Sequence, residues 1–268
     1  MISSSTRSRW IHRDRVTLHV LDTGTEGPPV VLLHGLAGNA REFLPTAHAL
    51  APDFRVLMVD QRGHGRSTRL PEDTSREAFV ADIVTVIEEL AEGPVHLVGQ
   101  SMGAHTAMLT ASARPDLVDR LTMLEGHPGG DGPETAPRIG AYVASWPTPF
   151  PDRDAARAHL GRHDLTEVWV ADLEETPEGF VPRFDPAVLE AIMVGLRRPR
   201  WSEWENLQVP TLAVFGDLGM FGDAQQRSLL DRRPTTRLVE MEDTFHDPHL
   251  NDPRQWNRIL HQWLTRPL

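Results

Sequence analysis

Ser101 stands in Gly99-Gln100-Ser101-Met102-Gly103, directly after the apolar run Val95 to Val98 and at the head of a helical stretch, Ser101 to Ala113. A serine held on a sharp strand-to-helix turn takes a strained backbone conformation, and flanking glycines give the chain room to pass. Its hydroxyl then projects above a sheet, and the free N–H groups of the helix's first turn point at the same place. That arrangement suits nucleophilic attack on a carbonyl. The plainer alternative is a glycine-rich turn with Ser101 as a helix N-cap. A neutral hydroxyl is a poor nucleophile and needs a base within hydrogen-bond reach. Of the thirteen histidines, His246 is the best placed. It follows the last expected strand, Thr236 to Met241, and precedes the last helix, so its loop returns to the carboxyl edge of the sheet. Ligands bind at that edge in open α/β sheets. His249 is the nearest competitor, and His34 and His64 approach the same edge.

Composition narrows the other chemistries. The 268 residues contain no cysteine, and all 27 basic residues are arginine. Thiolate nucleophiles, disulfides and cysteine-ligated metals are therefore excluded, as are Schiff-base lysines and the P-loop lysine. A formal net charge of -11, with no run of basic residues longer than a pair, argues against a nucleic-acid partner. His159 and His163 read as one helix face at zinc-ligand spacing, but no third ligand is evident, so no metal and no cofactor is expected. The segment Met1 to Arg15 is polar and lacks the apolar stretch of a secretory leader, and no run is long enough to span a bilayer. The expectation is a cytoplasmic protein with a small-molecule substrate and no membrane partner. Nothing in the sequence sets an oligomeric state.

The elements that must position these groups alternate in the βαβ manner, which predicts an α/β fold with a parallel sheet. Strands are expected at Val16 to Leu21, Pro29 to Leu33, Phe54 to Val59, Val95 to Val98, Val118 to Leu124, Thr211 to Phe215 and Thr236 to Met241. Helical spacing marks Ala40 to Leu50, Arg76 to Leu90 and Pro253 to Leu264. Between Gly126 and Leu207 no buried strand is evident, while Ala155 to His163 and Pro186 to Leu196 read as helices. This stretch interrupts a sheet that must close on both sides of it. It is expected to form a helical cap (126–207) on a core made of 1–125 and 208–268.

Further motifs join the serine turn. Leu32-Leu33-His34-Gly35-Leu36, Asp60-Gln61-Arg62-Gly63-His64-Gly65-Arg66-Ser67 and Phe245-His246-Asp247-Pro248-His249-Leu250 occur in order along the chain. With the turn around Ser101 they resemble the α/β-hydrolase superfamily over nearly the whole length. The resemblance implies a mostly parallel central sheet flanked by helices, with a helical cap inserted after the sixth strand of that fold. It implies Ser101 as nucleophile, His246 as base, and an oxyanion hole from the backbone N–H groups of Leu36 and Met102. It makes His34 a shaper of the oxyanion loop, and Asp60 and His64 structural residues.

The third catalytic member departs from the family's commonest pattern. That pattern places the acid as Gly-x-x-Asp after the strand Thr211 to Phe215, where this chain has Gly216-Asp217-Leu218-Gly219. Two carboxylates remain as candidates. Asp217 lies in the same loop but two residues early. Glu125 lies at the tip of the apolar strand Val118 to Leu124, where some branches of the family carry the acid. A carboxylate there needs a reason to be buried, and a histidine cation is one, so Glu125 is favoured.

The activity implied is hydrolysis of an ester, thioester or lactone of a small, largely apolar molecule through an acyl-enzyme. Ser101 in place of an aspartate argues against epoxide hydrolase and haloalkane dehalogenase chemistry. A C–C bond hydrolase, a cofactor-free perhydrolase and a ligand-binding protein on the same fold are the alternatives. Large side chains in and near the cap supply a candidate apolar pocket: Trp146, Trp169, Met193, Met220 and Phe221.

Overall fold

Runs that are apolar on both faces make strands that must be covered on both sides. The computed structural model, which describes residues 6–130 and 132–266, arranges them in one eight-stranded sheet. In chain order the elements begin with β1 (Arg7–Arg13), β2 (Val16–Asp22), β3 (Pro29–Leu33), α1 (Leu44–Leu50), β4 (Arg55–Asp60) and α2 (Arg76–Leu90). They continue with β5 (Val95–Gln100), α3 (Met102–Ala113) and β6 (Val118–Leu124). Next come α4 (Thr135–Ala144), α5 (Arg153–Leu160), α6 (Asp164–Asp172), β7 (Glu174–Thr176), β8 (Gly179–Val181), α7 (Pro186–Leu196) and α8 (Trp201–Glu205). The chain closes with β9 (Thr211–Gly216), α9 (Asp223–Arg232), β10 (Arg237–Met241), α10 (Pro248–Asn251) and α11 (Pro253–Leu264).

The sheet order is β1-β2-β4-β3-β5-β6-β9-β10. The two pairs that involve β2 are antiparallel and all later neighbours are parallel. Each sheet face carries its own core. On one, Ile83, Val86 and Ile87 of α2 and Met108 of α3 pack on Leu33, Leu97 and Leu121. On the other, Leu50 of α1 and Trp256 and Leu260 of α11 pack on Leu32, Met58 and Val214. Because β3, β4, β5, β6, β9 and β10 run parallel, their carboxyl ends share one edge, and the loops leaving them carry the candidate site.

The helices inserted after β6 form a cap with an apolar centre of its own, including Trp146, Phe150, Val170 and Leu189. Helix α7 also presses Ile192 and Met193 onto Phe79 and Met102 of the main body.

Four local expectations change. Strand β1 precedes Val16; it is an exposed edge strand in which only Ile11 is buried, so it has no apolar run to announce it. The Ala40 to Leu50 helix is a 3-10 turn, Ala40–Phe43, followed by α1. The cap contains a short antiparallel strand pair, β7 and β8. Finally, His159 and His163 do not share a helix. Helix α5 stops at Leu160, Gly161 turns the chain at φ +87°, and His163 caps α6 through Thr166 N–H. No cluster of three or more metal-ligating groups occurs among the described residues. No helix among them is long and apolar enough to cross a membrane. Met1 to Ser5 of the polar N-terminal segment lie outside the described residues.

Candidate active site

Strand β5 runs into Ser101, which takes φ 52° and ψ −117°, and α3 starts at the next residue. A positive φ on a non-glycine residue is strained, and such strain gathers at functional sites. The glycines are required by contact: a Cβ on Gly99 would collide with the Gly103 carbonyl, and one on Gly103 with the Leu33 carbonyl. Ser101 makes no side-chain capping bond to α3, so the N-cap alternative does not describe its hydroxyl. Instead Ser101 Oγ lies 2.9 Å from His246 Nε2.

Behind the imidazole, His246 Nδ1 lies 3.0 Å from Glu125 Oε2. The carboxylate accepts from Nδ1–H, which leaves Nε2 free to accept from the serine. Glu125 is fully buried, with 0% exposure, and its backbone sits at φ 48°. It also accepts from Gly216 N–H at 2.8 Å and from Met220 N–H at 3.0 Å. These donors compensate the burial of a charge that burial alone would penalise.

The departure from the family's commonest pattern has a steric counterpart. A Cβ on Gly219, the position where that pattern puts the acid, would fall on the Glu125 carboxylate. The carboxylate of Glu125 thus occupies the volume next to Gly219, reaching it from the neighbouring strand. Asp217, the other candidate, is exposed and turns its Oδ1 to Thr244 N–H at 3.1 Å. Hydrogen bonds from Asp243 and Thr244 N–H hold its carboxyl below the ordinary value.

The loop of His246 is anchored by Gln100, whose role sequence reasoning missed. Its Nε2 donates to the His246 carbonyl at 2.9 Å and to Asp247 Oδ1 at 3.1 Å. His249 does not compete for the serine. It is buried against Phe43, with ring centroids 4.7 Å apart, and faces Glu42.

Leu36 and Met102 stand beside Ser101, and among the described residues neither backbone N–H has an acceptor. The loop holding Leu36 is fixed from three sides. His34 Nε2 accepts from Gln61 N–H at 3.0 Å, so its Nδ1–H donates to the Gly35 carbonyl at 2.7 Å. The Gln61 side chain donates to the His34 carbonyl at 2.7 Å. From the cap, Trp169 Nε1–H donates to the Ala37 carbonyl at 2.9 Å. Asp60 accepts from Ala40 and Arg66 N–H and from His19. Burial alone would raise its pKa; the His19 bond and those N–H groups hold it low instead.

A cavity of about 240 Å³ opens between this edge and the cap. Trp169, Met193, Met220 and Phe221 line it, as do Tyr142 and Leu165. Trp146 does not reach it. That side chain, just past the end of α4, is buried in the cap centre between Trp169 and Phe184, at ring distances of 5.1 and 5.6 Å.

Glu42 also reaches the cavity wall although it is almost wholly buried. Burial pushes its carboxyl up to about 7, against the opposing influence of His34 and of Asn39 and Gly35 N–H. Burial likewise pushes His249 down to about 4. The two groups approach to 3.5 Å, but both shifts favour uncharged forms, so the contact is not a stable ion pair at neutral pH. With the folded value above the ordinary 4.5, the stabilisation is complete below about pH 4.5 and disappears as pH rises through about 7. Glu42→Gln is expected to abolish that decline. In denaturant titrations the variant should lose on the order of 2 kcal/mol less than the parent between about pH 5 and pH 8. Asp247 is raised by burial first and also by the charge of Glu42, so the variant eases that shift in the same direction.

The sheet order, the strained serine turn and the inserted cap together define the α/β-hydrolase architecture. Residues 28–164 match the alpha/beta hydrolase fold family, and the chain belongs to that family, with relatives in its serine-hydrolase branch. Among the relatives, the chain is 40% identical over 132 residues to sn-1-specific diacylglycerol lipase of Mus musculus, a match spanning 48% of this chain and 42% of that protein. It is 29% identical over 247 residues to 2-(acetamidomethylene)succinate hydrolase of Mesorhizobium japonicum, spanning 89% of this chain and 88% of that protein. The crystal structure of an E-2-(acetamidomethylene)succinate hydrolase superposes with a TM-score of 0.90 at 24% identity, covering 97% of this chain and 100% of the other.

Proposed function

We propose that the protein is a serine hydrolase that cleaves an ester, thioester or lactone of a small, largely apolar molecule through an acyl-enzyme. Ser101 Oγ attacks the carbonyl carbon as its proton passes to His246 Nε2. Glu125 orients the imidazole and stabilises the cation that forms. The N–H groups of Leu36 and Met102 receive the developing oxyanion, each worth about 3 kcal/mol of barrier. Collapse expels the alcohol or thiol, which takes the proton from His246. Water then attacks the acyl group with His246 again as base, and the acid leaves. The observation that carries this reading is the continuous chain Ser101 Oγ–His246–Glu125, with contacts of 2.9 and 3.0 Å, opening into an apolar cavity.

The relatives named above are a lipase and a hydrolase of a substituted succinate, which supports acyl cleavage and leaves the substrate to be found by assay. We assign residues 126–207 to the cap that shapes the cavity, and a cytoplasmic setting completes the proposal. Treatment with a fluorophosphonate probe should give one covalent adduct, mapped by peptide mass to Ser101, and competition by an activated ester should slow it. A protein that stays unlabelled would be a binder on this fold. A panel of ester, β-diketone and peroxide substrates separates the esterase from a C–C bond hydrolase or a perhydrolase on the same residues.

A further inference from the structure

Several arginines packed into this chain meet a carboxylate. Arg62 bonds Asp82, Arg55 bonds Asp22, and Arg200 bonds both Glu77 and Glu203. Arg76 is different. It is 1% exposed, and among the described residues no carboxylate lies within ion-pair distance. Its Nη2 contacts the Thr106 hydroxyl and the Met102 carbonyl, while Nε and Nη1 have no acceptor. The Phe79 ring lies 4.4 Å from the guanidinium carbon, but a ring face does not replace an anion. An unneutralised charge in a protein interior is costly, and an anion bound beside it would offset that cost.

His105, one helical turn after Ser101, stands on the same part of α3. It is 4% exposed and lines the cavity, and neither ring nitrogen has a partner among the described residues. Burial first, and then the charges of Arg76 and Arg200, hold this imidazole neutral. A neutral ring still presents one N–H, which can donate to an anion. Around it the wall is apolar: Met102, Ile139, Met193 and Leu196. Of the acidic groups of the cavity, Glu125 bonds His246, Asp247 bonds Gln100 beside it, and Glu42 faces His249.

We propose that the His105 end of the cavity is a subsite for a carboxylate on the substrate, with His105 donating to the anion and Arg76 behind it supplying the charge. The inference rests on the hydrolase reading and specifies its substrate: an ester whose other end is an acid. One turn of helix separates His105 from Ser101, about 6 Å between backbones, so only a few carbons separate the acid from the scissile carbonyl.

The test compares the mono-4-nitrophenyl ester of adipic acid with its methyl ester, which has the same leaving group and chain but no charge. The parent protein should favour the acid in kcat/KM by about tenfold or more, expressed mainly in KM. His105→Leu and Arg76→Met should bring the ratio of the two substrates close to unity, and Arg76→Lys should restore part of it. If Arg76→Met does not fold, the His105 variant and Arg76→Lys still decide the matter. A parent protein that turns over both esters equally, or variants that lose both in proportion, would overturn the subsite while leaving the Ser101 chemistry intact. Failure of both esters together with failure of Ser101 labelling would remove the hydrolase reading itself.

Discussion

Ser101→Ala is expected to lower turnover of a small activated ester by about 10⁶-fold, down to the weak acceleration that binding and the oxyanion donors supply by themselves. The geometry explains the size. Alanine keeps the turn and the N–H groups of Leu36 and Met102, but it removes the hydroxyl bonded to His246 Nε2. Members of such a unit act together. His246→Ala should therefore cost nearly as much, and the double variant little more than either one. Steady-state kinetics on 4-nitrophenyl acetate, with single-turnover traces for the acyl-enzyme burst, measure both effects. Retention of more than about 1% of kcat in Ser101→Ala would contradict the assignment, since no step of the unit survives loss of the hydroxyl.

The second large effect belongs to the acid. Glu125→Gln should reduce kcat by about 10⁴-fold, whereas Asp217→Asn should stay within about twofold. An amide carries no charge to stabilise the imidazolium. It must also place an NH₂ group against Gly216 N–H, Met220 N–H or His246 Nδ1–H, all of which are donors. The ring is then driven toward the tautomer that cannot accept from Ser101. Asp217 faces solvent and Thr244, so its charge is screened from the imidazole. Parallel kinetics on the two variants distinguish the carboxylates, and an inverted order of effects would move the acid back to the loop after β9.

Much of the frame was legible because burial on both faces leaves uninterrupted apolar runs. Pro29–Leu33 and Val118–Leu124 have the bounds their runs suggest, and Arg76–Leu90 and Pro253–Leu264 follow helical spacing to their ends. Strand β1 was not legible, since an edge strand with three arginines, a serine and a histidine around Trp10 and Ile11 looks like solvated chain. Helix α4 was hidden by Pro137, which reads as a break, yet it falls in the first turn where a missing N–H costs nothing.

Within the site the difference is between what a strand end reveals and what only space reveals. Glu125 was legible as a lone carboxylate at the tip of an apolar strand. Gln100 was not, because its partners are the carbonyl and side chain of residues near 246, and nothing local marks that meeting. Trp146 and Trp169 are indistinguishable by composition, and only the packing of α4 and α6 sends one into the cap and the other to the oxyanion loop.

The contact between Gly219 and Glu125 constrains how this branch can change. Two alternative addresses exist for one anion, and the volume admits a single tenant. In this chain the two positions are therefore sterically tied, and any side chain placed at 219 displaces the one at 125.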